Sequence, residues 1–384
     1  MAACCRWPPS PERNEAVRRW AAQPIDWDGF ARLVARHRVG GLVHDGLKRA
    51  DAKPPPNLAA SLAAEAGAIA LQNLAFAAEC LRLKAMFDES GTDVLFLKGV
   101  TINILAYESL ALKQAWDIDL LVDPADYEEA VTRIEEAGYR CVDPGPDPSR
   151  DEILRWARRH KHTVWQNAGG MALELHNSLV DNPVLLPGLS MRGPRQLVEV
   201  APGRTLPTLA TEELFAYLCA HGAAHGWSRL KWLADVAALL KDCDEAEILR
   251  LHDRSVALGG GRSAGQALLL SARLFGMRLP AALERKLRSD LATRLLVRVA
   301  LKTAILGGLG RELDEMILGT ARIHASYLLL GHGGRYKLRQ LRRTLLGASS
   351  EGAPLVKRVL RPLLYAPRWV LRRFRRSREA KTNR

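Results

Sequence analysis

The sequence offers no cysteine pattern on which a disulfide framework could be built. Its six cysteines (Cys4, Cys5, Cys80, Cys141, Cys219 and Cys243) contain no CxxC and no paired spacing, so they read as reduced thiols, and the expected setting is cytoplasmic. The first twenty residues are charged and broken by proline, without an apolar stretch behind them. No later run is expected to reach the length that crosses a bilayer. No Walker A sequence, GxGxxG fingerprint, GxSxG elbow or HRD/DFG set occurs, and Gly259-Gly260-Gly261 lacks the Lys-Ser/Thr of a phosphate loop and reads as a plain break. An excess of charge over the body is also missing. The net charge is +14, but residues 335–384 hold sixteen Lys and Arg against two acids, which accounts for all of it. A neutral body speaks against specific nucleic-acid reading there. The tail segment 355–378 interleaves apolar residues with Lys and Arg among prolines, and three roles stay open for it: folding back on an acidic face, solvation, or weak contact with an anionic membrane.

What the chain does have is a pair of carboxylates in an apolar strand. Trp116-Asp117-Ile118-Asp119-Leu120-Leu121-Val122 has strand character. Alternation puts Asp117 and Asp119 on one face and sends Trp116, Ile118, Leu120 and Val122 to the core. Two like charges roughly 6 to 7 Å apart in such a strand are costly unless a cation joins them, and Mg²⁺ favours one or two carboxylates together with substrate phosphates. Upstream, Asp93 to Lys98 is a short apolar run that Gly99 ends, and Val100 to Tyr107 is helical in pattern. Gly99 therefore sits at a strand-to-helix turn with free N–H groups suited to phosphate. Downstream, Met171 to His176 alternates as a half-buried strand and puts Glu174, a third carboxylate, on one face with His176.

Leu97-Lys98-Gly99, Asp117-Ile118-Asp119-Leu120-Leu121-Val122, Ala137-Gly138-Tyr139 and Glu174-Leu175-His176, in this order, resemble an uncharacterised bacterial branch of the nucleotidyltransferase superfamily. The resemblance extends into the segments from His221 to Trp227 and from Leu230 to Asp235, and covers most of residues 25–330. It implies an α+β fold, with a small mixed-sheet catalytic core flanked by N-terminal and C-terminal helical regions. It also implies transfer of a nucleoside monophosphate from an NTP, ATP being the expected donor, to an unidentified acceptor with release of pyrophosphate. Asp117, Asp119 and Glu174 would be the catalytic acids and would hold Mg²⁺ or Mn²⁺, classically two ions about 3.5 to 4 Å apart bridged by the aspartates. Lys98 and Gly99 would meet the nucleotide, although Lys98 can instead pair with an aspartate. The wider superfamily usually carries Gly-Ser or Gly-Gly at this turn, and its interval to the acidic strand is shorter. An inactive binding protein that keeps the fold, or a membrane-peripheral protein acting through its basic tail, are the competing readings.

The remaining organisation follows from punctuation. Residues 1–90 read as an N-terminal helical region, with Trp27 to Leu47 helical, a stiff break at Pro54-Pro55-Pro56, and a long alanine-rich run from Leu58 to Phe87. The α/β core is expected at 91–200, a helical domain at 201–334, and the basic tail at 335–384. Asp123 reads as an N-cap with Pro124 at the first helical position, and Gly138 closes that helix. The Trp-, Arg- and His-rich stretch from Ile153 to Trp165 carries no assigned role. His221 and His225 share a helix face. Without an HExxH pattern they read either as packed core or, with His176, Arg229, Lys231, Trp232 and Asp235, as the lining of a substrate cleft. Trp227 is either core or a base-stacking surface.

Overall fold

The computed structural model describes residues 1–145, 147–305 and 319–346. Helices α1 (Pro11–Ala21), α2 (Trp27–His37), α3 (Gly40–Arg49) and α4 (Pro56–Ser90) form the N-terminal layer. Strand β1 (Val94–Phe96), α5 (Val100–Tyr107), β2 (Asp117–Val122), α6 (Tyr127–Glu136), β3 (Tyr139–Asp143), α7 (Arg150–Ala157), β4 (His162–Asn167) and β5 (Ala172–His176) follow, and then the hairpin β6 (Arg195–Ala201) and β7 (Arg204–Leu209). The chain continues through α8 (Thr211–Ala224), α9 (Leu230–Leu239), α10 (Glu245–Ala257), α11 (Gly261–Phe275), α12 (Ala281–Ser289), α13 (Leu291–Val299), α14 (Gly319–Tyr327) and α15 (Gly333–Leu346). The expected α+β class is what is observed. The tail from residue 347 onward, including 355–378, lies outside the described residues.

Five strands form one mixed sheet in the order β1-β2-β5-β4-β3. Its central pair, β2 and β5, is parallel, and Asp119 stands directly opposite Glu174. β1 runs antiparallel to β2, and β4 antiparallel to both β5 and β3. Ile118, Leu120 and Val122 are buried beneath the sheet together with Leu173 and Leu175. A second apolar cluster joins the N-terminal helices to the C-terminal ones, since Val43 and Leu47 share it with Leu268, Leu330 and Tyr336.

Several local expectations need correction. Trp116 stands one residue before the strand and is 42% exposed rather than in the core. Trp27 to Leu47 is two helices, broken where Arg38 takes a left-handed backbone at φ 55°. Asp123 caps a turn and not a helix: its carboxylate accepts from the Ala125 N–H at 3.0 Å, its carbonyl accepts from Asp126 N–H at 2.9 Å, and the helix begins only at Tyr127. By length and composition α4 is apolar enough to cross a bilayer, contrary to the expectation that no run would be. Its buried residues Leu62, Ile69, Phe76 and Leu83 recur at about two-turn spacing, with Phe87 one turn further on, and make one packed face.

That face of α4 also organises the approach to β2. Buried Asn73 donates its amide to the carbonyls of Leu110 and Lys113, and its own carbonyl accepts from Ala115 N–H at 2.9 Å. Asn103 adds a second amide to the Lys113 carbonyl at 2.8 Å. The irregular loop beside the site thus has buried backbone groups met by side chains of α4 and α5, as buried polar groups require. Asn73→Ala leaves the Leu110 carbonyl and the Ala115 N–H without these partners and should cost about 3 kcal/mol, read as a lower urea midpoint at unchanged slope. A midpoint equal to wild type would show that the loop is held by other means.

Candidate active site

The acids reach one face because β2 and β5 are parallel neighbours. Asp117 and Asp119 alternate on β2, and the register places Glu174 beside Asp119 on the next strand. All three line a cavity of about 180 Å³ whose floor is the sheet and whose opposite wall is α8 and α9. The turn before α5 contributes Lys98 and Gly99, the 113–116 loop contributes Lys113 and Trp116, β4 contributes His162 with Lys161 just ahead of it, and the helices contribute His221, His225, Lys231, Trp232 and Asp235. Gly99 adopts φ 68° and ψ −115°, a conformation closed to residues with a Cβ. A larger concavity of about 410 Å³ between the 144–148 loop and α7 holds none of the three acids.

Asp119 is the hub. Its Oδ1 accepts from Lys98 Nζ at 2.8 Å and from His176 Nε2 at 3.1 Å, and the same His176 nitrogen reaches Glu174 Oε2 at 3.1 Å. Both partners of that nitrogen are carboxylates, so Nε2 carries the proton. Burial alone would raise the Asp119 pKa, but the Lys98 ammonium and the His176 hydrogen bond outweigh it and hold the carboxyl well below the usual range. Asp117 moves the other way: burial, then repulsion from Asp119, push it up to about 6, with Lys98 offsetting only part. Burial works to raise Glu174 as well, and the His176 hydrogen bond brings it net downward.

These environments bear on metal binding. Oδ2 of Asp119 is buried without any hydrogen-bond partner, and Asp117 is a carboxylate whose anion is disfavoured where it stands. An unsatisfied oxygen beside a destabilised carboxylate, with a third carboxylate alongside, suits a hard divalent cation such as Mg²⁺ or Mn²⁺. His162, Glu174 and His176 also bring ligand atoms within 4.8 Å of one another. This second grouping includes neither aspartate.

The structure separates the residues expected in the cleft. His221, His225, Lys231, Trp232 and Asp235 line it together, and the two imidazoles stand 4.6 Å apart with Trp232 against both. Burial lowers the pKa of each, His225 to about 4, so both are neutral. Asp235 is anchored, accepting from Tyr107 Oη at 3.0 Å and pairing with Lys113 at 2.9 Å. His176 is fully buried under the acids and does not line the cavity; it positions Asp119 and Glu174 from below. Arg229 donates to the Arg36 carbonyl at 2.7 Å and does not line the cavity, and Trp227 is core, its ring packed on Gly222.

Arg38, Lys113, Trp116, Lys161 and His162 line the cavity without having been singled out as site residues from the sequence. The one signal available was alternation in His162-Thr163-Val164-Trp165, which forms β4 and places His162 opposite His176. The Arg38 guanidinium lies 4.2 Å from the Trp116 ring centroid. Lys98, Lys113 and Lys161 each have a carboxylate partner. Lys231 has none within ion-pair distance among the described residues; it is 8% exposed, and its ammonium lies 5.9 Å from the Trp116 ring centroid. Burial, then the Lys113 charge, lower its pKa to about 7, against the pull of Asp235 and Asp117. After reductive ¹³C-methylation, one lysine resonance should titrate near pH 7 and vanish in Lys231→Met; ordinary lysines titrate near 10.4. A spectrum in which every lysine titrates above about 9.5 would contradict this placement.

The comparison with known families accords with this arrangement. The model of an uncharacterised nucleotidyltransferase family matches residues 23–276, from α2 through the sheet and α8 and α9 to the end of α11. No curated protein matches the chain. The matched span contains the glycine turn, both aspartates, Glu174 and the helical wall of the cavity, and the chain belongs to this nucleotidyltransferase family.

Proposed function

We propose that the cavity transfers a nucleoside monophosphate from an NTP, with ATP the expected donor, to an acceptor nucleophile and releases pyrophosphate. The observation that carries this reading is the register pairing of Asp119 with Glu174, on the face that also bears Asp117 and beside the Gly99 turn. A bound Mg²⁺ or Mn²⁺, held by Asp117, Asp119 and Glu174, would neutralise phosphate charge and lower the pKa of the acceptor. The acceptor atom attacks the α-phosphorus, the bond to the bridging oxygen of the β-phosphate breaks, and pyrophosphate departs with that electron pair.

The protein's own groups have separate tasks in this scheme. Glu174 is an anion at the acceptor side and takes the acceptor's proton. The open N–H groups at the start of α5 face the phosphates at Gly99. Lys231, a cation without a carboxylate, is the free positive charge for the phosphate tail. Trp232 with the neutral pair His221 and His225 offers flat, uncharged surface to a ring. Six unpaired thiols support a reducing, cytoplasmic setting.

The test is incubation with each of the four NTPs and Mg²⁺ or Mn²⁺, following pyrophosphate release and the fate of label in the α-phosphate. Pyrophosphate release with retention of α-label on an acceptor is expected. Asp119→Asn, which keeps an oxygen for Lys98, and Glu174→Gln should each lower the rate at least about a hundredfold while circular dichroism stays unchanged. Transfer of γ-label alone would replace this reading with phosphoryl transfer.

A further inference from the structure

We infer that this site takes a single divalent cation and that the Lys98 ammonium stands in the place of a second. The inference rests on the nucleotidyl-transfer reading and narrows it, since the expectation from the family pattern is a pair of ions bridged by the aspartates. Bridging requires a carboxylate to give one oxygen to each ion. A pair bridged by both aspartates therefore needs both oxygens of Asp119, which neighbours Asp117 along β2 and Glu174 across the sheet. Its Oδ1, however, is already engaged by two donors, Lys98 Nζ at 2.8 Å and His176 Nε2 at 3.1 Å. Only Oδ2 remains, buried and unpartnered. An aspartate with one available oxygen serves one cation.

Charge leads to the same count. Three carboxylates carry three negative charges; Lys98 cancels one, and a single divalent ion balances the other two. Lys98 is not placed to leave: its side chain is 16% exposed, Asp119 is fully enclosed, and separating them would strand a buried charge. A point charge on a flexible stem can hold a carboxylate oxygen as a cation does while donating hydrogen bonds. Lys98 is then the fixed half of a mixed pair, one ammonium and one metal ion.

Counting ions tests this without reference to turnover. The full chain is titrated with Mn²⁺, alone and with the non-hydrolysable α,β-methylene analogue of ATP, and free Mn²⁺ is read by electron paramagnetic resonance; bound ions are then inspected frozen for spin coupling. Wild type should bind one tight Mn²⁺ without a coupled signal, and Asp119→Asn should lose it. Lys98→Met opens one of the two acceptor positions on Oδ1, leaving His176 on the other, and should bind two, coupled at the spacing of about 3.5 to 4 Å that paired sites show, whereas Lys98→Arg should keep one. Two coupled ions in wild type, or one in a folded Lys98→Met, would overturn the inference and leave nucleotidyl transfer standing. No tight ion in wild type would overturn both, and should Lys98→Met fail to fold, the wild-type count decides alone.

Discussion

Three carboxylates on one face of a small sheet repel one another, and the fold tolerates them through the buried contact between Lys98 and Asp119. The ammonium belongs to the residue just before the helix-initiating glycine, so the turn that ends β1 also delivers the counter-charge to β2. His176 reinforces the contact from beneath with one proton shared between Asp119 and Glu174. Removing one member of such a pair leaves the other desolvated and alone, a loss of about 3 to 5 kcal/mol in comparable buried pairs. Asp119 is therefore held ionised, while the strain of the cluster falls on Asp117, whose carboxyl is pushed up to about 6. The arrangement concentrates unmet negative potential at one place, the floor of the cavity between Asp117 and the buried free oxygen of Asp119.

Much of this was legible because it depends on local rules. Period-two alternation puts Asp117 with Asp119 and Glu174 with His176, and a glycine after an apolar run marks the turn; these follow from strand geometry alone. The bounds of α5 followed from the same kind of signal. What could not be read was anything set by pairing. That β5 lies beside β2 in parallel, with Asp119 opposite Glu174, depends on a crossover that passes through α6, β3, α7 and β4. His162 was hidden for this reason: β4 joins the site only by lying antiparallel to β5, and its histidine follows a segment whose charged and aromatic residues mask the alternation. Trp116 was misplaced because alternation was extended one residue past the strand's first hydrogen-bonded position, where the side chain is free to turn outward onto Arg38. His176 and Arg229 show the converse error. Each has cleft chemistry by type, but tertiary packing commits the first to the buried acids and the second to a backbone carbonyl.

The cavity exists only where two layers meet. The sheet supplies acids and a glycine turn, whereas α8 and α9 supply imidazoles, an indole and cations, and neither set could define a site alone. The joint between them is polar and buried: Lys113 from the loop ahead of β2 pairs with Asp235 of α9, and Tyr107 at the end of α5 donates to the same carboxylate. Asn73 of the N-terminal layer fixes the loop that carries Lys113 and Trp116. Residues distant in sequence thus determine the width of the cleft, in keeping with an apolar core that runs through the N-terminal and C-terminal helices. The family match spans α2 to α11 and so takes in both walls and their brace.

Within the cavity, charge is graded rather than uniform, and the grading follows from which lysines already have partners. Lys98 and Lys113 are neutralised by Asp119 and Asp235, so their contribution to an incoming anion is reduced, whereas Lys231 faces the cavity with its charge unanswered. Buried next to Lys113, it stands near the balance point between ammonium and amine, and an anion arriving beside it would favour the charged form. The imidazoles of His221 and His225 are neutral for the same reason of burial, with the Lys98 and Lys161 charges adding to it. One wall thus offers a positive charge that strengthens on meeting an anion, and another offers aromatic surface that stays uncharged. A polyphosphate joined to a planar ring satisfies both at once, and it does so only if the lysine of the turn is occupied elsewhere; with Lys98 free, the acids would be uncompensated and a second unpaired ammonium would stand at the turn.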